Sequence, residues 1–390
     1  MNAVKVSDGI YWVGAIDWNT RNFHGYATPR GTSYNSYLIL DKKITIIDAV
    51  KAPFFSQMLD RVRSIIDPKD IDIIISNHSE NDHSSGLPLL QQLTGAPIYA
   101  SRKGKENLSL NFGPLNVVKV SDGEEMSIGE RTLRFIETPM LHWPDSMMTY
   151  CKEASILFSM DGFGQHYASS KRFDDEVDAT TLFEEAAKYY ANILMPFGQQ
   201  YQSALEKVKD LDVKMLATAH GVIWRSNISK ILEKYGSWSR HETKKKVSII
   251  YDTMWGSTEV MAHSIAEGIA SECVEVQLCK ISAMERSQIV REVLDSKAVL
   301  FGTPTLNMGM FPSVADIITY LKGLRPRNRY AGVFGSYGWV PAGTKAVKDA
   351  LAGSGLEFVF EDIDIRFNPL DDGRKRCYEF GKDVAKKVMS

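Results

Sequence analysis

Short apolar segments, separated by polar turns, recur through the first 240 residues. Five of them are predicted strands, at residues 34–40, 43–49, 71–77, 132–138 and 155–161. The segment at 71–77 (IDIIISN) is rich in β-branched residues and bounded by turn residues, which is typical of a buried strand. The first two predicted strands are close enough along the chain to pair with each other. Residues 178–209 have a largely helical pattern, so this part of the chain mixes strands with helices.

A regular alternation of strands and helices begins at residue 247. Predicted strands lie at 247–251, 274–279, 298–302, 330–335 and 357–360, and predicted helices near 259–271, 312–323, 342–353 and 372–388. This alternation indicates a parallel, doubly wound sheet, and five strands suit the flavodoxin-like strand order. The polar stretch 241–246 (HETKKK) has no apolar period and directly precedes the first of these strands. We therefore predict two α/β domains, at residues 1–243 and 244–390.

Size, charge and composition narrow the class of protein. A chain of 390 residues exceeds the roughly 250–300 residues at which a single core stops growing, which supports two domains. The formal net charge of −2 gives no basic field for nucleic acid. No apolar run approaches the ~20 residues of a membrane span, and the first residues lack the pattern of a signal peptide. We expect a cytoplasmic protein that binds neither nucleic acid nor membrane.

The four cysteines give no sign of a thiolate metal site. Cys151, Cys273, Cys279 and Cys377 are scattered along the chain and form no CxxC pair. In a cytoplasmic protein such cysteines are expected to be small, buried or half-buried side chains.

The segment after the predicted strand 71–77 concentrates potential metal ligands. His78, Glu80, Asp82 and His83 fall within six residues, in the pattern H-x-E-x-D-H. A loop can fold four such side chains around one centre, whereas a strand would send neighbours to opposite faces. A polar turn with capping residues is the alternative interpretation, but it accounts poorly for four ligands so close together.

Further candidate ligands stand at the ends of later predicted strands. His142 follows the strand at 132–138, Asp161 ends the strand at 155–161, and His220 ends the apolar segment MLATAH. Each of these residues alone would more often be structural, as a hydrogen-bonded histidine or a turn aspartate. Together they repeat one arrangement of strand, ligand and loop, which favours a metal site.

A loop suited to a phosphate follows the strand 247–251. It contains Thr253, Met254, Trp255, Gly256, Ser257 and Thr258 and leads into the predicted helix 259–271. Backbone N–H groups, hydroxyls and the positive end of the helix dipole all favour a phosphate there. Neither GK[ST] of the P-loop nor GxGxxG is present, so a monophosphate such as FMN fits better than ATP or NAD. An ordinary capped helix is the alternative.

Two further loops follow later strands of the same predicted sheet. The first supplies Thr303, Pro304, Thr305, Asn307 and Gly309, and the second supplies Ser336, Tyr337, Gly338 and Trp339. Open α/β sheets bind ligands at the carboxyl ends of their strands, where all three loops are expected. The aromatic side chains in these glycine-containing loops suit stacking on a flavin ring.

Residues 1–240 resemble the metallo-β-lactamase fold, an αββα sandwich with a binuclear metal site on one edge. The hydrolases of that superfamily carry H-x-H-x-D-H, and this chain has Glu80 in place of the second histidine. An oxygen ligand in that position shifts the preference from zinc toward iron.

The whole chain resembles the A-type flavodiiron proteins, in particular the rubredoxin:oxygen oxidoreductases of anaerobes. The matching motifs, in order, are DWNTRNFHGY (17–26), H-x-E-x-D-H (78–83), MLHWPDSM (140–147), DGFGQH (161–166) and YYANIL (189–194), with the flavodoxin loops. The resemblance implies two irons joined by an oxo or hydroxo bridge. His78, Glu80 and His142 would bind one iron, Asp82, His83 and His220 the other, and Asp161 would bridge them.

The same resemblance implies residues around the metal ligands and a reaction. His24 and one of Tyr189 or Tyr190 match positions next to the ligands, and His166 is expected to be structural or to support a ligand. The family reduces O2 to water, NO to N2O, or both. It takes electrons through FMN from a donor such as rubredoxin and works as a head-to-tail homodimer, in some cases as a dimer of dimers. A zinc hydrolase with an accessory flavin domain and a sensor of diatomic gases are the alternatives.

Overall fold

The computed structural model describes residues 1–390, which form two compact units. The first unit contains residues 1–190 and 197–236, and the second contains residues 191–196 and 237–390. None of the helices is both long enough and apolar enough to cross a membrane.

Sixteen short strands lie in the first unit. They are β1 (Val4–Ser7), β2 (Ile10–Trp12), β3 (Ala15–Asp17), β4 (Asn22–Phe23), β5 (Tyr26–Ala27), β6 (Thr32–Tyr34), β7 (Tyr37–Ile39), β8 (Thr45–Ile47), β9 (Ile73–Ile75), β10 (Ile98–Ala100), β11 (Val117–Lys119), β12 (Glu125–Ser127), β13 (Thr132–Glu137), β14 (Met147–Cys151), β15 (Ile156–Met160) and β16 (Met215–Thr218). The predicted pairing of the strands at 34–40 and 43–49 is confirmed, because β7 and β8 are antiparallel neighbours.

The strands of this unit form a sandwich. A seven-stranded sheet has the order β1-β2-β7-β8-β9-β10-β11, and a five-stranded sheet has the order β12 to β16. One apolar core combines side chains of both sheets, such as Ile47 and Ile75 from the first with Phe135 and Phe158 from the second. A second core lies under helices on the other face of the first sheet, where Met58 and Leu90 pack. This layering is the lactamase-like sandwich that the sequence predicts.

Helices α1 (Phe55–Arg63), α2 (Asn81–Ser84), α3 (Leu87–Thr94), α4 (Arg102–Phe112), α5 (Ala179–Tyr189), α6 (Gly198–Val208) and α7 (Ile228–Ser239) follow the strands in this part of the chain. A π-helical turn (Tyr190–Leu194) and a 3-10 turn (Met195–Phe197) separate α5 from α6. The largely helical pattern at 178–209 therefore corresponds to two helices with an irregular junction.

The second unit has a parallel sheet. Its strands are β17 (Lys244–Tyr251), β18 (Glu275–Lys280), β19 (Ser296–Pro304), β20 (Arg329–Tyr337), β21 (Leu356–Phe358) and β22 (Ile363–Arg366). The order β18-β17-β19-β20-β21 is the flavodoxin-like order, with β22 pairing the later part of β20. The predicted fifth strand at 357–360 overlaps β21, and β22, which pairs the next part of β20, was not predicted.

Five helices accompany this sheet: α8 (Ser257–Ser271), α9 (Arg286–Asp295), α10 (Pro312–Leu324), α11 (Ala342–Leu351) and α12 (Asp371–Met389). The sequence pattern predicted four of them and missed α9. The missed helix buries Ile289, Val290, Val293 and Leu294, whose spacing fits one helical face.

The polar stretch 241–246 extends into the sheet, because β17 begins at Lys244. Two of its lysines form ion pairs: Lys244 Nζ lies 2.9 Å from Asp295 Oδ2, and Lys246 Nζ lies 2.5 Å from Glu292 Oε2. One sequence-based expectation needs correction. Cys273 is exposed rather than buried, because it follows the end of α8 with a positive φ of 59°.

Candidate metal centre and flavin cleft

The seven predicted metal ligands come together at one edge of the sandwich. His78 and Glu80 follow β9, and α2 carries Asp82 and His83. The other three follow later strands: His142 after β13, Asp161 directly after β15, and His220 after β16. Six of the seven residues are buried, at most 9% exposed, and His142 is partly buried.

The ligand atoms form two groups. In the first, His142 Nε2 lies 3.0 Å and His78 Nε2 lies 3.4 Å from Glu80 Oε2. Asp161 Oδ2 completes this group, at 3.7 Å from His78 Nε2 and 3.5 Å from His142 Nε2. All four ligand atoms lie within 4.8 Å of one another.

The second group uses the other carboxylate oxygen of Asp161. Asp82 Oδ2 lies 3.3 Å from His83 Nε2 and 3.1 Å from His220 Nε2. Asp161 Oδ1 is 3.3 Å from His83 Nε2 and 3.5 Å from His220 Nε2. The Asp161 carboxylate therefore lies between the groups and offers one oxygen to each.

This geometry fits a pair of metal ions. Two donors at about 2.1 Å from one ion lie about 3.0–3.4 Å apart in octahedral or tetrahedral geometry, close to the spacings found here. Several donor atoms are buried without any hydrogen-bond partner: His78 Nε2, both carboxylate oxygens of Asp82, His83 Nε2 and Asp161 Oδ2. Buried polar atoms are nearly always paired, so this cluster of unpaired donors indicates groups shaped to bind cations.

Charge within the groups supports the same interpretation. Burial lowers the pKa of His83, but the charges of Asp82 and Asp161 outweigh burial and raise that pKa to about 9. His142 behaves in the same way: burial lowers its pKa, but Asp161 and Glu80 raise it to about 9. Without metal these two imidazoles therefore keep protons that balance the carboxylates. Metal ions would displace these protons, because a ligating imidazole must be neutral.

Neighbouring residues hold the imidazoles in place. His78 Nδ1 lies 3.1 Å from Asp145 Oδ2, and Asp145 is 1% exposed. His220 Nδ1 lies 2.7 Å from the Ser33 backbone oxygen. Such contacts at the other ring nitrogen fix the tautomer and orientation of a metal-binding histidine. The sequence analysis did not single out Asp145 for this position, although the motif MLHWPDSM contains it.

The residues predicted to lie around the ligands occupy different places. The Tyr189 hydroxyl donates to Asp161 Oδ1 at 3.0 Å, whereas Tyr190 packs against Tyr201 and Tyr235. Of the two tyrosines, Tyr189 is thus the one beside the centre. His24 Nε2 lies 3.2 Å from Glu80 Oε1, and its side chain is 72% exposed.

His166 lies beside the second group and is not part of it. The residue is fully buried, and its Nδ1 lies 2.8 Å from Thr32 Oγ1. Its ring centre is 4.9 Å from that of His220 and 5.0 Å from that of Tyr189. The structure thus places His166 behind a candidate ligand, as the sequence analysis expected.

In the second unit, the loops after β17, β19 and β20 meet at the carboxyl edge of the sheet. They surround a cleft of about 500 Å³. Ten of the predicted flavin contacts line this cleft: Met254, Trp255, Ser257, Pro304, Thr305, Asn307, Ser336, Tyr337, Gly338 and Trp339. The Trp255 and Trp339 side chains are largely outside the core, with 86% and 83% exposure.

The other five predicted contacts, Thr253, Gly256, Thr258, Thr303 and Gly309, do not line the cleft. Thr258 is fully buried, with Oγ1 2.9 Å from Ser336 Oγ. The Thr303 hydroxyl accepts a hydrogen bond from the Phe311 backbone N–H. The Thr258 and Thr303 side chains therefore support the loops from outside the cleft.

Five lining residues were missed by sequence reasoning: Leu306, Met308, Val340, Phe367 and Asn368. Phe367 and Asn368 follow β22, the last strand of the sheet, and Asn368 Oδ1 accepts a hydrogen bond of 2.7 Å from the Ser257 hydroxyl. The rule that ligands bind beyond the carboxyl ends of parallel strands would have found these two residues, had it been applied to the last strand.

The cleft includes the features that a phosphate requires. Gly256, the residue before α8, has a φ of 87°, which a side chain would strain. The first N–H groups of α8 have no partner within the helix, and Ser257 adds a hydroxyl beside them. The cleft thus combines an anion site with exposed aromatic side chains, and this combination fits a flavin mononucleotide.

Comparisons with known proteins agree with this architecture. The family model described as ODP family beta lactamase matches residues 32–221, and the flavodoxin model matches residues 249–381. The nitric oxide reductase of Moorella thermoacetica is 41% identical over 393 residues, which cover 99% of this chain and 98% of that protein.

Solved structures also match the entire chain. The rubredoxin oxygen:oxidoreductase of Desulfovibrio gigas has a TM-score of 0.97 and 38% identity, covering 100% of this chain and 99% of its own. The flavodiiron protein of Giardia intestinalis has a TM-score of 0.97 and 37% identity, with coverage of 100% and 97%.

A lactamase-like sandwich with two metal-ligand groups, joined in one chain to a flavodoxin domain, defines a class of redox flavoproteins. This chain belongs to the flavodiiron protein family. Its flavodoxin domain indicates FMN as the flavin, and the family implies iron in the sandwich domain.

Proposed function

We propose that this protein reduces NO to N2O, O2 to water, or both, at a pair of irons supplied with electrons through FMN. One observation carries the proposal: the Asp161 carboxylate offers one oxygen to each of two ligand groups that contain two imidazoles and a further carboxylate apiece. Such a pair leaves room on each ion for a small diatomic ligand.

We assign His78, Glu80 and His142 to one iron and Asp82, His83 and His220 to the other, with Asp161 shared. An oxo or hydroxo bridge would complete the pair. Four imidazoles with three carboxylates suit iron better than zinc, because oxygen ligands are harder than nitrogen and sulfur. The position of Glu80 Oε2, 3.0 Å from His142 Nε2, supports glutamate as a ligand here.

The bound irons and FMN would supply the electron transfer, with FMN passing on single electrons from a two-electron reduction. The protein's own residues orient and shield the centre. The Tyr189 hydroxyl donates a hydrogen bond to Asp161, and the largely exposed His24 side chain contacts Glu80. In the second unit, Ser257 and the first turn of α8 would hold the FMN phosphate, and Trp339 would contact the ring.

In this proposal, FMN receives its electrons from a small redox protein. Rubredoxin is the favoured donor, since the D. gigas relative is a rubredoxin oxygen:oxidoreductase. The free cysteines agree with a reducing cytoplasm as its location. Domain limits of 1–243 and 244–390 are part of the proposal and agree with the start of β17 at Lys244.

Anaerobic steady-state kinetics with reduced rubredoxin, and with NO or O2 as the only acceptor, tests the function. We expect turnover with at least one gas and two irons and one FMN per chain. Zinc in place of iron, with no gas turnover, would favour a hydrolase. Iron and FMN without turnover under any donor would favour a gas sensor.

We further propose a head-to-tail homodimer, or a dimer of such dimers, in which the FMN of one chain serves the metal centre of its partner. A symmetric pair makes both contacts equivalent. Co-expression of a metal-deficient variant (His78→Ala with Asp161→Ala) and an FMN-deficient variant altered in 253–258 tests the arrangement. Random mixing predicts about a quarter of wild-type activity. No recovery in verified mixed dimers would reject transfer between chains.

A further inference from the structure

Fully reduced FMN carries a negative charge on its ring system that oxidised FMN lacks. Uptake of two electrons and one proton by FMN produces this charge. Conversion of two NO molecules to N2O and water uses two electrons and two protons, so one fully reduced FMN can supply the electrons for one such reaction. Binding of reduced FMN in the flavin cleft is therefore part of the proposed function, on which the inference rests.

The lining of the flavin cleft contains no charged side chain. All fifteen lining residues are apolar or aromatic, or carry only a hydroxyl or an amide. A charge close to the cleft wall is therefore not opposed by another charge in the lining, and it acts on the flavin through a partly apolar medium.

Two carboxylates near the same end of the sheet have other partners. Asp252, which follows β17, accepts hydrogen bonds from the hydroxyls of Ser282, at 3.1 Å, and Ser313, at 2.6 Å. Asp364, within β22, accepts a hydrogen bond of 3.1 Å from the Thr344 hydroxyl. Neither carboxylate is a lining residue of the cleft.

Arg366 places a guanidinium directly behind the uncharged lining. It ends β22, and its Nε donates a hydrogen bond of 2.8 Å to the Gly338 backbone oxygen. The guanidinium carbon lies 5.3 Å from the centre of the Phe367 ring. Gly338 and Phe367 both line the cleft, so two residues of the cleft wall hold the positive charge of Arg366 against it.

The backbone at Arg366 is fixed to the loop that follows β20. Tyr337 and Arg366 are paired residues of the parallel strands β20 and β22, and the Phe367 backbone N–H donates a hydrogen bond of 2.8 Å to the Tyr337 oxygen. The Arg366 side chain is exposed and forms no ion pair with a carboxylate. An arginine is always charged in proteins, so its full charge is available to a ligand in the cleft.

We propose that Arg366 favours the fully reduced, negatively charged form of FMN over the oxidised form. Its charge acts across the wall formed by Gly338 and Phe367, and its hydrogen bond holds the loop that carries Trp339. Tighter binding of reduced FMN raises the midpoint potential of the bound flavin by the same free energy, because binding and reduction are linked. The donor supplies both electrons and solvent supplies the proton, so no further reactant is needed.

Three substitutions separate the charge of Arg366 from its hydrogen bond. Arg366→Gln removes the charge but keeps an N–H donor, Arg366→Lys keeps the charge without the planar guanidinium, and Arg366→Glu reverses the charge. Arg327→Gln is the matched control, because Arg327 is also an exposed arginine and lies just before the opposite end of β20. The length of β20 places it roughly 26 Å from the Gly338 loop, at about 3.3 Å per residue.

Two measurements on the full chain give the affinity for each form of the flavin. Spectroelectrochemical titration of the holoprotein, at low and high salt, gives the midpoint potential of the bound FMN. Fluorescence titration of the flavin-depleted protein gives its affinity for oxidised FMN, and the two results together give the affinity for reduced FMN. Both are repeated with riboflavin, which has the same ring and no phosphate. Metal content shows that each variant is intact.

We expect Arg366→Gln to weaken the binding of reduced FMN, relative to oxidised FMN, by about tenfold, because one charge near the surface acts through a high effective dielectric. A tenfold change corresponds to a fall of about 30 mV in the two-electron midpoint potential. Arg366→Glu should lower the potential further, Arg366→Lys should keep most of the wild-type value, and Arg327→Gln should match wild type. The differences should persist with riboflavin and shrink at high salt.

Unchanged potentials in both Arg366→Gln and Arg366→Glu would overturn the proposal. A fall in Arg366→Lys as large as that in Arg366→Gln would also overturn it, in favour of the hydrogen bond to the loop alone. Equal losses of affinity for oxidised and reduced FMN, absent with riboflavin, would assign Arg366 to the phosphate instead. Failure of the proposed function is distinguishable from these outcomes, because wild type itself would then bind FMN and reduce neither gas.

Discussion

Asp145 offers a sharp test of the candidate metal centre, because it supports one ligand group and not the other. Its Oδ2 lies 3.1 Å from His78 Nδ1 and accepts a hydrogen bond of 2.7 Å from the Ser79 backbone N–H. This contact orients the imidazole and makes its other nitrogen a better ligand. We predict that Asp145→Asn weakens metal binding at the group that contains His78.

The size of the effect follows from what the substitution removes. An amide oxygen can still accept the Ser79 hydrogen bond, but it carries no charge toward His78. Loss of such a partner typically lowers metal affinity about 10–100-fold, which corresponds to about 1.4–2.7 kcal/mol. The Asp145 side chain is fully buried, so water cannot easily replace the lost carboxylate. Burial lowers the pKa of His78, but Asp145 and Glu80 outweigh it and hold that pKa well above its usual value.

The variant therefore also reduces competition from protons, which offsets part of the loss at acidic pH. Anaerobic titration of metal-free protein with Co²⁺ or Fe²⁺, followed by absorption spectroscopy, measures both groups. The group with Asp82, His83 and His220 is the internal control, and Asp178→Asn, at an exposed carboxylate, is the matched variant. Equal weakening of both groups, or unchanged affinity at the first, would refute the role given to Asp145.

Three further predictions address the ligand set, the flavin and pH. Glu80→His should raise the zinc fraction and lower gas turnover; unchanged iron and turnover in this variant would remove Glu80 from the ligand set. Thr258→Val should lower the free energy of unfolding by about 1–3 kcal/mol, because it leaves the hydroxyl of Ser336, which lines the flavin cleft, without its partner, whereas Thr319→Val at an exposed position of α10 should not; urea unfolding compares the two variants. Burial and two neighbouring arginines lower the pKa of His241 to about 4, below its unfolded value of about 6.5. Between these two pKa values the unfolded chain therefore binds more protons than the folded protein, so the free energy of unfolding should rise with pH. In urea unfolding measured across this pH range, His241→Gln should show a smaller dependence of that free energy on pH.

The fold and the clustering of the candidate ligands could be predicted because their signals are local. Each of His142, Asp161 and His220 stands shortly after an apolar run, and all three of those runs become strands that end at the same edge of the sandwich. Strand periodicity and ligand chemistry can both be read within about ten residues. The missed lining residues Leu306, Met308, Val340 and Phe367 are apolar, and an apolar residue in a loop carries no signal that separates it from the core.

The choice between Tyr189 and Tyr190 shows a different limit. Successive residues on a helix point about 100° apart, so only one of the two can face Asp161. Which one does so depends on the rotation of α5, and that rotation is fixed by distant partners. Tyr190 packs between Tyr201 of α6 and Tyr235 of α7. Packing between helices, rather than the Tyr189-Tyr190 sequence, therefore directs the Tyr189 hydroxyl to the Asp161 carboxylate.

The division of H-x-E-x-D-H between two groups has a local cause that spacing alone does not reveal. Glu80 is extended, with φ −62° and ψ 144°, and α2 begins at the next residue. This backbone conformation lets the Glu80 side chain meet that of His78 in one group, where Oε2 and Nε2 lie 3.4 Å apart. Asp82 and His83 lie in α2, where adjacent side chains point about 100° apart. Asp82 Oδ2 and His83 Nε2 nevertheless lie only 3.3 Å from each other. A helix that began two residues earlier would place His78 and Glu80 on different sides, and the first group would not form. The position of the helix start therefore decides which ligands share an ion.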